Sequence, residues 1–308
     1  MKDGKGPRTV LELQARFPDE AACMAFLRAV RWPQGFVCPR CQGRASWTLR
    51  TRRLEQCRAC RHQTSLTAGT VLHRTRLPLR VWLWAIYFVG RHKTGISALQ
   101  LQKDLGLGSY QTAWTLLHKL RSALGEPASQ RLVGLVEADE TYLGARRETG
   151  VHGRALCGKS LVAAAVENRG DHAGSLRLAH VPAASQAELG PFVRGVIDQA
   201  EATVKTDGWS GYGDLAAQGA RHRPVIQGVP ARAAQILPWA HTVFSNLKAW
   251  IWGTFHGVSA KHLHRYLMEF VYRFNRRSLE HDLLFYVLRR AAHGEPFPYR
   301  RLIAESVG

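Results

Sequence analysis

Two pairs of cysteines, Cys38-Pro39-Arg40-Cys41 and Cys57-Arg58-Ala59-Cys60, stand fifteen residues apart. Each C-x2-C pair forms a tight knuckle that presents two thiolates, and an intervening hairpin brings the pairs together tetrahedrally, which is the chemistry of a structural zinc site. Gly43 follows the first knuckle, Trp47-Thr48-Leu49 and Leu54-Glu55-Gln56 read as the hairpin arms, and Arg50, Arg52 and Arg53 crowd its turn. Four thiolates leave no open coordination position, so any catalysis lies elsewhere. Two carboxylates offer it. Asp139 lies in the otherwise apolar strand-like run Val136-Glu137-Ala138-Asp139-Glu140-Thr141-Tyr142, and Asp207 ends Val204-Lys205-Thr206-Asp207 just before Gly208-Trp209. A half-buried carboxylate persists only when paired or bound to a cation, and carboxylates converging from neighbouring strands suit Mg²⁺ or Mn²⁺. Taken singly, an Asp in such a place is more often a strand-end cap or a surface ion pair; it is the matched contexts of the two that favour a shared site.

The elements that must position these groups follow from patterning. The spacing predicts a short helix through Cys23, Phe26, Leu27 and Val30, ending before Pro33, then the ribbon, then an aromatic-rich helix opening at Leu77-Pro78 and buried on most sides. Residues 96–107 and 109–121 read as two short helices joined by a glycine-containing turn, a helix-turn-helix arrangement that offers Ser109, Tyr110, Gln111, Thr112 and Thr115 to a DNA groove. Gly125-Glu126-Pro127 marks a boundary. Beyond it, strands are expected at 132–143, 160–167, 175–181, 203–206 and 222–226, with helices at 185–202 and 210–218. From His241 the chain is nearly all helix, broken at Gly253, Gly257 and Arg277-Ser278. The fold class is therefore α/β with a mixed central sheet, preceded by a zinc ribbon and a helix-turn-helix region. The expected domains are 1–75, 76–128 and 129–308.

The 308 residues carry 43 Lys and Arg against 23 Asp and Glu, a net charge of +20. A polyanionic partner, nucleic acid before membrane, is the simplest reason. Met1 to Pro7 carry charge without a following apolar stretch, and no run of about 18 apolar residues occurs, so a cytoplasmic, nucleoid-associated protein is expected. Cys23 and Cys157 are left over and receive no role.

The cysteine knuckles, Val136 to Gly144, Lys205-Thr206-Asp207-Gly208-Trp209-Ser210-Gly211-Tyr212, Phe244-Ser245-Asn246-Leu247-Lys248-Ala249-Trp250 and Gly253-Thr254-Phe255-His256-Gly257-Val258 together resemble the DDE transposases of bacterial insertion sequences, in the ISXO-like branch with an N-terminal zinc ribbon. The resemblance spans nearly the whole chain. It implies an RNase-H-like catalytic domain in which Asp139, Asp207 and a third residue hold two Mg²⁺ or Mn²⁺ ions. It further implies cleavage at the element's ends, strand transfer into target DNA, double-stranded DNA as partner and a homo-oligomer on that DNA. The usual third residue is glutamate; the matching position here is Asn246, whose amide oxygen can bind Mg²⁺ without adding charge. On its helix Val243, Leu247, Trp250 and Ile251 form the apolar stripe and Asn246 borders it. Lys248, about 160° around the axis, is assigned to phosphate contact. Glu269 is the alternative third ligand, although its place opposite the apolar stripe and four residues before Arg273 is that of an ion pair. Glu137 shares a strand face with Asp139 and is a weaker candidate; Glu140 occupies the other face. Arg146, Arg147, Lys159, Lys261 and Arg265, with His256, Arg273, Arg276 and Arg277, are expected to track a phosphate backbone. A catalytically inactive zinc-ribbon regulator and a stand-alone RNase-H-like nuclease remain alternatives.

Overall fold

The computed structural model describes residues 7–49, 51–144, 159–226, 233–279 and 283–304. Arg50, Arg146, Arg147, His152 and Cys157 lie outside the described residues. The chain divides into two compact units.

One unit runs to Leu124 and takes up the chain again from Ser278. It opens with α1 (Val10–Arg16) and α2 (Glu20–Arg31), each started by an N-cap side chain, Thr9 and Asp19. A three-stranded antiparallel sheet follows, β1 (Ser46–Leu49), β2 (Leu54–Cys57) and β3 (Gln63–Ser65). Helix α2 is tied to it by charge: buried Glu55 accepts hydrogen bonds from Arg28 and from Ser46 and Thr48, and Arg31 donates to the carbonyls of Ser65 and Leu66. Next comes α3 (Leu79–Arg91), whose buried positions include Trp82, Leu83, Ile86 and Val89. The pair α4 (Ala98–Asp104) and α5 (Tyr110–Ser122) packs together, capped by Ser97 and Ser109. The connection turns at Gly106, whose φ of +60° follows the C-cap Leu105, the left-handed position at which glycine ends helices. The unit closes with α10 (Leu283–His293) and α11 (Tyr299–Ala304); α10 packs on α2 and α3. This corrects the expected 129–308 span. An amphipathic stripe shows which face is buried and is silent about its partner, and the partner of α10 lies in the N-terminal half.

The second unit, Gly125–Arg277, is built on a five-stranded mixed sheet ordered β6-β5-β4-β7-β8: β4 (Leu132–Gly144), β5 (Lys159–Asn168), β6 (Ala173–Val181), β7 (Ile197–Thr206) and β8 (Arg221–Pro224). Strands β4, β5 and β6 are antiparallel neighbours, whereas β4–β7 and β7–β8 are parallel. The period-2 alternation sends Val136, Ala138, Ala163 and Ala165 to one face, under α6 (Gln186–Val196), and Leu143, Val162, Ala164 and Val166 to the other. That second face is covered by α8 (Pro238–Trp250) and α9 (Ala260–Asn275). A four-residue helix, α7 (Ala233–Ile236), precedes α8, which continues as a π-helical turn, Ile251–Phe255, before His256 and Gly257 adopt positive φ. Two expectations need revision. The helix predicted to 202 stops at Val196 because extended, β-branched Ile197 pairs with Leu132, so β7 begins there. The predicted helix 210–218 is a single 3₁₀ turn, Ser210–Tyr212, followed by turns through a stretch interrupted by Gly211, Gly213 and Gly219.

Candidate active site

The four cysteine sulfurs lie within 4.8 Å of one another. Cys38 and Cys60, and Cys41 and Cys57, are each 3.6 Å apart at sulfur. A tetrahedral ion with bonds of about 2.3 Å sets such edges near 3.8 Å, so the quartet has the dimensions of a zinc cage. The knuckles are near copies of one another. Gln42 donates to the Cys38 carbonyl and Arg61 to that of Cys57, both with positive φ, and the N–H of each first cysteine bonds a carbonyl beyond its knuckle, Gly43 and His62. Space at Gly43 is tight, because a Cβ there would stand 3.2 Å from the Cys57 sulfur and 3.3 Å from that of Cys41. On the ribbon surface, Arg58 and Arg61 lie 5.4 and 4.8 Å from the centre of the half-exposed Trp47 ring. Cys23 is buried, and burial, with the charge of Glu20 adding, pushes its thiol up to about 11, leaving it inert.

In the second unit the parallel ladder of β4 and β7 runs to Glu137 opposite Lys205. Two residues further along stand Asp139, within β4, and Asp207, just past the end of β7, on the same face of the sheet. Asp207 Oδ1 accepts from the Trp209 N–H (2.9 Å). The turn between them needs Gly208, at φ +81° with Ile226 Cγ1 3.2 Å from where a Cβ would be. Asp139 is 9 % exposed. Burial first, then the charges of Glu140, Asp207 and Glu137, raise its carboxyl to about 7, against the lowering hydrogen bond from the Glu140 N–H. Its surroundings are short of positive charge, which a divalent cation supplies. Asp139, Asp207 and His241 do not converge as the cysteines do: among the described residues only the quartet brings three or more Cys, His, Asp or Glu donor atoms so close together.

The helix that reaches this site is α8, and the side chain it brings is His241, whose Nε2 lies 3.6 Å from Asp139 Oδ2, an ion pair when the imidazole is protonated. Lys248, seven residues on and about 20° from His241 around the axis, faces the same way. Burial lowers its ammonium, with the charge of Asp139 opposing that shift. Asn246 is exposed and lies about 140° from His241. The phase of α8 is set at its start, where Glu137, fully buried, accepts the N–H groups of Trp239 and Ala240 (both 2.9 Å) and the side chain of Asn168 (2.7 Å). Glu137 is therefore spent on the helix end. The Ala-His-Thr string after Pro238 was the available sequence signal for His241, a polar residue one turn before a Phe-Ser-Asn-Leu-Lys run. Glu140 turns to the opposite face and accepts from Tyr212 Oη (2.8 Å).

Glu269 is 1 % exposed and bonds Arg273 Nη2 at 2.9 Å: the ion pair is present, but the surface placement is corrected, because α9 is buried on its Arg265–Glu269–Tyr272 side as well as along Leu263, Leu267 and Phe270. Arg265, expected at phosphate, is 1 % exposed and so faces protein. Arg276 is held by Glu126, and Arg277 donates to the Phe274 and Ala173 carbonyls. Lys159 and Lys261 are half-buried at the starts of β5 and α9. No helix among the described residues is long and apolar enough to cross a membrane.

Residues 131–275 match the model of the ISXO2-like transposase domain, and residues 18–63 match the transposase zinc-ribbon domain. The chain is also 30 % identical over 141 residues to a Halobacterium salinarum protein described as an uncharacterized protein in transposable element ISH50. That match covers 45 % of this chain and 45 % of the relative.

Proposed function

Because residues 131–275 match the ISXO2-like transposase domain and residues 18–63 the transposase zinc-ribbon domain, we propose that the chain is the transposase of an insertion sequence, an enzyme that cleaves DNA at the element's ends and joins them to a target. The observation that carries this reading is the placement of Asp139 and Asp207 two residues beyond the last pair of the parallel β4–β7 ladder, with the charge of Asp207 acting on Asp139, inside the matched span. The sheet order, three antiparallel strands followed by two parallel ones, supports an RNase-H-like catalytic domain. Asp139 and Asp207 would hold Mg²⁺ or Mn²⁺, with His241 as the third group. Bound there, such an ion lowers the pKa of an attacking water or 3′-hydroxyl and stabilises the leaving oxygen. The chain's own part is positional. Asp139 and Asp207 fix where the charge sits, and Lys248 offers its ammonium to the scissile phosphate. The cysteine cage would hold Zn²⁺, and the ribbon with the α4–α5 pair would grip double-stranded terminal repeats, two of which call for a homo-oligomer.

With purified protein, Mn²⁺ and a duplex carrying an element end, Asp139→Ala and Asp207→Ala are expected to abolish cleavage and joining. His241→Ala is expected to reduce them at least 100-fold, while Asn246→Ala retains most activity. Cleavage that survives either aspartate substitution would sink the assignment, and equal losses at 241 and 246 would return the third role to Asn246.

A further inference from the structure

The helix-turn-helix expectation places the polar face of α5 in open solvent, ready for a DNA groove. The structure divides that face. Ser109, Tyr110 and Gln111 are exposed at the helix start, but from Thr112 through Thr115 to Lys119 the face lines a groove of roughly 360 Å³, with Arg74 and Arg76 on its other wall and Tyr299 at its side. The loop that carries the two arginines is pinned. Thr75 Oγ1 accepts from Trp82 Nε1 (2.9 Å) and from the Leu77 N–H (3.1 Å), while the Thr75 N–H bonds the Leu72 carbonyl (3.1 Å). Arg74 sits at φ +54°, a left-handed conformation seldom adopted by a long side chain.

Three cations thus converge on one groove with no carboxylate in its lining. None of Arg74, Arg76 and Lys119 has an ion pair or side-chain hydrogen bond among the described residues. Burial lowers the Lys119 ammonium and no neighbouring charge offsets it. Other arginines of the chain are matched by a carboxylate: Arg28 by Glu55, Arg273 by Glu269, Arg276 by Glu126. Arg74 and Arg76 are exposed and Lys119 is half-buried, so three like charges are held beside one groove, and a bound anion relieves their mutual repulsion. The hydroxyls of Thr112 and Thr115 add donors suited to phosphate oxygens.

We propose that this groove is a phosphate-binding site that takes backbone phosphates of a DNA strand through Arg74, Arg76 and Lys119. The assignment rests on the reading of the chain as a DNA-handling enzyme and deepens it: α5 contacts DNA with its middle turns through the backbone, and its exposed first turn remains for base edges. Such contacts position the protein without reading sequence.

The test is DNA binding by the full chain, followed by fluorescence anisotropy with a duplex carrying the element's terminal repeat and with a scrambled duplex, at stepped salt. Arg76→Gln and Lys119→Gln are each expected to weaken both duplexes by a similar factor and to lower the slope of log K against log salt by about 1. Arg74→Asn, which tolerates the left-handed backbone, should do the same, and Lys119→Arg should restore the slope. A misfolded variant is recognised by its thermal melt, and slopes unchanged in variants that melt like wild type overturn the proposal. If wild type binds neither duplex, the transposase reading fails instead, and inorganic phosphate then decides the groove. Thermal protection of wild type that is lost in the triple variant keeps a phosphate site without a DNA role; protection of neither, or of both, removes it.

Discussion

Burial and three neighbouring carboxylates hold the Asp139 carboxyl at about 7, well above its ordinary 3.8. Between those two values the folded chain keeps a proton that the unfolded chain has released. Without metal, Asp139 therefore lowers stability progressively as pH rises from about 4 to about 7, and the cost is complete above that. In chelator, Asp139→Asn is expected to raise the melting temperature strongly at pH 8 and hardly at pH 5, a difference on the order of 2–4 kcal/mol. Adding Mn²⁺ at pH 8 should raise the wild-type melt and leave the variant unmoved. An equal gain from the substitution at both pH values would show that the charge of Asp139 is already compensated in the protein. The placement of the two aspartates on neighbouring strands was legible in the sequence, because each closes or interrupts an apolar, strand-like run. His241, which lies beside Asp139, was passed over because the apolar stripe of Val243, Leu247, Trp250 and Ile251 left Asn246 on its border, and the transposase-like string drew the reading to Asn246 and Lys248. Glu269 misled for the opposite reason: α9 has a polar face, and polar faces read as solvent until a partner such as Arg273 is seen buried with it.

At the scale of elements, α3 and α8 share a device. Both begin at a proline, Pro78 and Pro238, and neither has a side-chain cap of its own. Each instead takes a carboxylate from elsewhere: Glu20 accepts the N–H groups of Leu79 and Arg80, and Glu137 those of Trp239 and Ala240. Local sequence shows the proline at the helix start but not a cap supplied from 59 residues away, as for Leu79, or 102, as for Trp239, so the joint between the elements was not predictable. Because α8 carries His241 and Lys248, its docking by Glu137 fixes the distance between helix and Asp139. Glu137→Ala leaves two helix N–H groups and Asn168 without their acceptor, and a loss of about 1–3 kcal/mol is expected in chemical denaturation. Glu137→Gln keeps an acceptor oxygen and should recover most of it. As Glu137 acts through the helix, cleavage by the Gln variant should show an unchanged Mn²⁺ concentration for half-maximal rate, whereas a metal ligand replaced by an amide would need far more Mn²⁺. A large rise in that concentration would make Glu137 a ligand after all.

Over the whole molecule, the division of the chain does not follow the order of its sequence. The sheet unit closes on itself at Arg277, where Arg276 meets Glu126 and Asn275 bonds the Leu176 backbone in both directions. Chain beyond it returns to the first unit. Helix α10 buries Leu283, Leu284, Val287, Leu288, Ala291 and Ala292, the Ala291 carbonyl accepts from the Val71 N–H (3.1 Å), and Gly90 lets the α10 backbone approach so closely that a Cβ there would stand 3.2 Å from Leu284 N. Fully burying one leucine or valine contributes about 1.5–3 kcal/mol, so Leu283, Leu284, Val287 and Leu288 together contribute about 6–12 kcal/mol, comparable with the 5–15 kcal/mol margin on which a typical domain stands. A chain ending at Arg277 is therefore expected to keep its sheet unit folded, since both faces of that sheet are covered by its own helices, while α2 and α3 lose their cover. In limited proteolysis the region before 124 should be degraded first and a fragment spanning about 125–277 should persist, with one of two melting transitions lost. Equal protease resistance of residues 7–124 with and without the C-terminal segment would mean that α10 caps the first unit without supporting it.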